Sequence, residues 1–66
     1  MDDTVPYIVT PGAPVVRCGS RTYAIRKTSG GGYCVTYEDE GDDAIYYFDD
    51  VFETMKDAFW FISQQK

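Results

Sequence analysis

The chain has no histidine, so it lacks the side chain most often used as a general base near neutral pH and as a metal ligand. Its two cysteines, Cys18 and Cys34, form no CxxC pair and are too few for a zinc site. Their spacing is compatible with a single disulfide or with two separate thiols. No apolar run approaches the ~20 residues that cross a bilayer. The acidic opening Met1-Asp2-Asp3 is not followed by the apolar stretch of a secretory signal. These absences predict a cytoplasmic protein with reduced thiols and without metal, cofactor or membrane contact.

What is present is small, aromatic and acidic. Sixty-six residues make a single domain, 1–66. Cores of this size supply only about 3–5 kcal/mol of net stability, so either dense aromatic packing or burial against a partner or second copy is expected. Aromatic residues make up 17% of the chain, enough for the first remedy. Net charge is −5, unevenly spread: residues 1–37 sum to +2 and residues 38–66 to −7. Such a field repels nucleic acid and anionic membrane and draws in basic surfaces. A solubilising role for an acidic surface is the plainer reading of the same charge.

Residues 1–13, with Pro6, Pro11 and Gly12, read as a short edge strand over Val5–Val9 and a Pro-Gly turn, or as an arm that orders on meeting a partner. Val15 to Cys18, the turn pair Gly19-Ser20 and the alternating Arg21–Lys27 read as a hairpin, with Tyr23 and Ile25 on one face and Thr22 and Arg26 on the other. Ser29-Gly30-Gly31-Gly32 reads as a flexible loop. No GK[ST] follows it and a strand succeeds it, which excludes a phosphate loop. Tyr33–Tyr37 is the next strand. The acidic turn Glu38–Asp43 lacks the spacing of a calcium loop. Ala44–Phe48 reads as a strand apolar on both faces, of the kind that is central or covered.

A helix is predicted from Asp50, with Asp50 as N-cap and Glu53 completing a capping-box pattern. Helical spacing places Val51, Met55, Ala58, Phe59 and Ile62 on one stripe packed on the sheet, flanked by Phe52 and Phe61, with Trp60 opposite. The expected fold is α+β: a small antiparallel meander of three to five strands with one C-terminal helix on one face.

No enzyme is predicted. The carboxylates sit on a turn with nothing to desolvate them, and both thiols fall in apolar strand patterns where inert burial is expected. The leading expectation is a partner-binding surface made of Glu38, Asp39, Glu40, Asp42, Asp43, Asp49, Asp50, Glu53 and Asp57, with Trp60 as a desolvated anchor. A covered, partly buried Trp60 is the structural alternative. In size, acidity and lack of catalytic groups the whole chain resembles small inhibitors encoded by phages and mobile elements, of the anti-CRISPR and DNA-mimic kind. That is a resemblance of profile and carries no residue roles. It implies a basic, nucleic-acid-handling partner protein, such as a CRISPR-Cas or other defence component. The runner-up is a single-stranded nucleic-acid module built on Arg17, Arg21, Arg26 and Lys27 with Tyr23 and Tyr33. A homodimer joined through a strand edge or Trp60 is the third expectation.

Overall fold

The computed structural model describes residues 7–9 and 12–65. Val5, Pro6 and Pro11, and with them most of the expected N-terminal arm, lie outside the described residues. The observed order is β1 (Tyr7–Ile8), β2 (Val15–Cys18), β3 (Arg21–Thr28), β4 (Tyr33–Asp39), β5 (Tyr46–Tyr47) and α1 (Met55–Ser63). The five strands form one antiparallel sheet in the order β1-β3-β4-β5, with β2 on β3 as well. β1 pairs with the end of β3 (Tyr7 with Thr28, Ile8 with Lys27), and β2 with its start (Val15 with Ala24 through Cys18 with Arg21). Both therefore occupy the same edge of β3. The α+β expectation is met.

The turns are set locally. Gly19 takes φ 64° in the two-residue turn that closes Cys18 on Arg21, as the Gly-Ser signal predicts. The Ser29–Gly32 stretch, expected to be loose, is instead tied to Thr28. The Thr28 N–H donates to the Gly32 carbonyl (2.9 Å), the Gly31 N–H to the Thr28 carbonyl (3.1 Å) and the Gly32 N–H to Thr28 Oγ1 (2.9 Å). A hydroxyl facing back across a short loop supplies the order that glycines alone do not.

Strand alternation sorts the sheet into two faces. Tyr23, Ile25 and Val35 form the core with Ala58 and Ile62 of α1, and Val16, Cys18, Tyr33, Tyr37, Phe48, Phe52 and Phe61 pack around them. Aromatic rings run in a chain along one side of this core. Tyr46 stacks on Tyr37 (5.3 Å), Tyr37 meets Phe48 (5.1 Å), Phe48 meets Phe61 edge-on (5.0 Å), and Phe61 meets Phe52 (5.1 Å). The opposite face carries Thr22, Ala24 and Arg26 of β3 with Cys34 and Thr36 of β4. No described helix lies there. Tyr7 and Tyr47, from strands at opposite ends of the ladder, meet at 6.0 Å between ring centroids. Three strand spacings of about 4.8 Å separate those ends in a flat sheet, so the contact requires a strongly curled one. On this face Cys34 and Thr36 are each only 1% exposed.

Three expectations need correction. The helix begins at Met55 with Thr54 as N-cap, whose Oγ1 accepts from the Asp57 N–H (3.1 Å), not at Asp50 with Glu53. The reason is that Phe52 is already committed to the sheet: it exchanges backbone hydrogen bonds with Tyr33 (2.8 and 2.7 Å). Val51 is consequently off the helix and 62% exposed. Met55 and Phe59, each 40% exposed, sit on the flank of α1 while Ala58, Phe61 and Ile62 take the buried side. Third, the Ala44–Phe48 stretch is not central. β5 is the last strand of the ladder, with Ile45, Tyr46 and Tyr47 each more than 40% exposed. Tyrosine hydroxyls let that strand face water without a cover.

Candidate functional site

The acidic residues fall into two groups, because β5 runs back along β4. Glu38, Asp39, Glu40, Asp42 and Asp43 gather where β4 ends and the chain turns. Asp49, Asp50 and Glu53 lie toward the start of β4, beside the Tyr33–Phe52 bridge, and Asp57 is in the first turn of α1. Between those ends β4 advances about 20 Å at ~3.4 Å per residue. The structure therefore brings together five acids at one end and leaves four at the other.

Within the turn the carboxylates have different duties. Asp39 is held by Arg21, whose Nε and Nη2 reach Oδ1 and Oδ2 at 2.6 and 3.1 Å. The same guanidinium lies 4.3 Å over the Tyr37 ring. This fork pulls the Asp39 carboxyl below its ordinary range and raises Arg21. Asp42 organises the turn: Oδ1 accepts from the Ala44 N–H and Oδ2 from the Tyr46 hydroxyl, each at 3.0 Å. Donation to a carboxylate favours the protonated phenol and raises the Tyr46 pKa. Two backbone bonds fix the loop, Glu40 N–H to the Ser20 carbonyl (2.8 Å) and Asp42 N–H to the Asp39 carbonyl (3.0 Å), while Gly41 takes φ 87°. Glu38, Glu40 and Asp43 remain exposed without a side-chain hydrogen bond or ion pair among the described residues.

Arg17, Ser20, Thr22 and the turn residues Glu38–Asp42 line a shallow depression of about 330 Å³. It is polar, and among the described residues Arg17 is the one cation that lines it. Among the described residues no group of three His, Cys, Asp or Glu is arranged to hold a metal ion.

Trp60 lies on the side of α1 away from Ala58 and Ile62 and is 67% exposed, the most exposed of the aromatic residues on the helix. Its carbonyl accepts from Ser63 Oγ (2.6 Å).

The residues of the nucleic-acid alternative are divided between faces. Tyr23 is 4% exposed in the core. Arg21 and Lys27 share its side of β3, where Lys27 Nζ stands 5.8 Å from the Tyr33 ring centre. Arg26 and Arg17 lie on the other face, and Arg26 Nε donates to Thr36 Oγ1 (3.4 Å). The two thiols also separate. Cys18 packs on the core side and Cys34 on the reverse, on strands two apart and five rows out of register, so no disulfide can join them. Both are free, and burial raises the Cys34 pKa. Among the described residues no helix is long and apolar enough to cross a membrane.

Sequence reasoning missed two features of this surface. The Arg21–Asp39 fork follows from their cross-strand register, which depends on the length of the Ser29–Gly32 loop. The Asp42 turn was signalled by the Asp-x-Ala and Asp-x-x-x-Tyr spacing, read only as charge. No family model matches the chain, and neither a curated protein nor a solved structure matches it.

Proposed function

We propose that this protein is a non-enzymatic, acidic inhibitor or adaptor that acts in the cytoplasm by covering a basic, nucleic-acid-binding surface of another protein. The observation that carries the reading is the state of the turn: Glu38, Glu40 and Asp43 project from a backbone pinned at both ends, with no cation of their own among the described residues. Carboxylates carried on a fixed backbone meet lysine and arginine side chains without first losing loop entropy. Trp60 offers a rigid apolar contact of the type enriched at interface hot spots. An inhibitor carried by a phage or mobile element against a defence nuclease has this profile, and that is the biological setting we favour.

The test uses the three unengaged acids. Glu38, Glu40 and Asp43 changed together to Lys should abolish retention of the partner from a cell extract and flatten the salt dependence of the wild-type complex. The wild type should also displace nucleic acid from the captured partner. Asp39 and Asp42 are poor choices here, since their loss disturbs Arg21 and Tyr46. Equal retention of the reversed variant would reject the mechanism. Direct binding of single-stranded nucleic acid has less support, because its tyrosine Tyr23 is buried and its four cations do not share a face. A salt-sensitive gel shift lost on Arg17 and Arg26 substitution would favour it over the inhibitor reading.

A further inference from the structure

We propose that the outer edge of β2 joins two copies of this chain in an antiparallel strand pair centred on Val16. The Ile25 N–H donates to the Pro14 carbonyl (3.0 Å), and Cys18 faces Arg21 across the two-residue turn. Hydrogen-bonded pairs alternate along an antiparallel ladder, so Val16 bonds to Tyr23 and its neighbours Val15 and Arg17 turn their N–H and C=O groups outward. Those groups have no backbone partner among the described residues. An open row of this kind is a template for another strand.

The sequence of β2 selects the register. With Val16 opposite Val16 of the second copy, Val15 faces Arg17 and Arg17 faces Val15, two pairs that exchange four hydrogen bonds. Shifting by two residues one way sets Arg17 against Arg17, a like-charge pair that is disfavoured, and the other way sets Arg17 against Ala13, which lies outside the strand. The two-fold axis of the Val16 register keeps both helices on one side of the joined sheet. There the half-exposed Met55 and Phe59 flank lies toward the junction, since Met55 lines a depression of about 250 Å³ with Pro14 and Ile25. Lys27 is on this side and Arg17 on the reverse face, while Asp49 and Asp50 follow β5 at the far edge. Two copies of net charge −5 thus meet without opposing those acids. Head-to-tail pairing of β2 with β5 is hindered, because β5 offers two residues before the Asp49–Val51 excursion.

Sedimentation of the full chain at rising concentration tests this, independently of any partner. The expected mass rises from 7.5 kDa to twice that value and stops. The Val15 side chain is 62% exposed, so its substitution leaves the monomer folded, as circular dichroism would verify. Val15→Arg opposes two cations at each end and should weaken association by about tenfold, whereas Val15→Glu should tighten it by a similar factor. Amide exchange at Val15 and Arg17 should slow as the dimer forms. A monomer at millimolar concentration, indifference to both Val15 substitutions, a mass that climbs without limit, or association lost only on Trp60→Gln would each overturn the proposal.

Discussion

At the β5 edge the chain leaves the ladder after Phe48, whose N–H donates to the Val35 carbonyl (3.0 Å), throws Asp49–Val51 outward, returns through the Phe52–Tyr33 bridge and crosses the sheet as α1. At the β2 edge four residues run between Pro14 and Gly19, with the backbone groups of Val15 and Arg17 facing out and nothing similar to blunt them among the described residues. One edge combines brevity, an excursion and negative charge, the devices that stop strand-on-strand association. The other has a single arginine. Charge and backbone geometry thus differ between the edges: the acidic one is blunted against further strands, and the neutral-to-basic one leaves its outward N–H and C=O groups without a backbone partner among the described residues.

This contrast can be broken from either side. Phe52→Ala removes the ring that meets Phe61 and loosens the bridge that seals the β5 edge; we expect a loss of about 3 kcal/mol in urea denaturation. Gly32→Ala comes next. A Cβ there would stand 2.7 Å from Val51 Cγ1 and 3.0 Å from the Phe52 carbonyl, and forcing that contact should cost about 1–3 kcal/mol by the same measurement. Thr54→Ala removes the N-cap of α1 and should cost about 1 kcal/mol.

Smaller effects come from pH. Asp39 has a folded pKa below its unfolded value, so its contribution is present above the unfolded range and fades as pH falls through the folded value. Tyr46 is shifted upward, so its contribution is complete below about pH 10 and fades as pH rises through the folded value. Urea midpoints followed against pH should lose the acidic limb in Arg21→Gln and the alkaline limb in Tyr46→Phe. On the open side, Val15→Thr in dilute protein should move the midpoint by no more than about 0.5 kcal/mol, which sharpens the difference between the edges.

Much of the fold was legible in the order of residues. Gly19-Ser20 between β-branched and alternating stretches announced the β2–β3 hairpin, and the 3.6 spacing found the buried pair Ala58 and Ile62. The helix start was misread because Asp50 and Glu53 satisfy a capping pattern that Thr54 and Asp57 satisfy as well. Only the commitment of Phe52 to Tyr33, a contact between residues far apart in sequence, decides between them. The candidate site was legible as charge but not as arrangement. Composition cannot tell that Asp39 is spent on Arg21 and Asp42 on its own turn, or that β5 carries Asp49 and Asp50 away from Glu38.

The placement of the two thiols makes the molecule its own opening clock. Cys18 is partly reachable by solvent at the end of β2, whereas Cys34 is 1% exposed under the curled face, with its thiolate further disfavoured by burial. An alkylating reagent would tag the first promptly and the second only when the sheet uncurls. The interval between the two tags would then time how often the central strands come apart, with no label added by design.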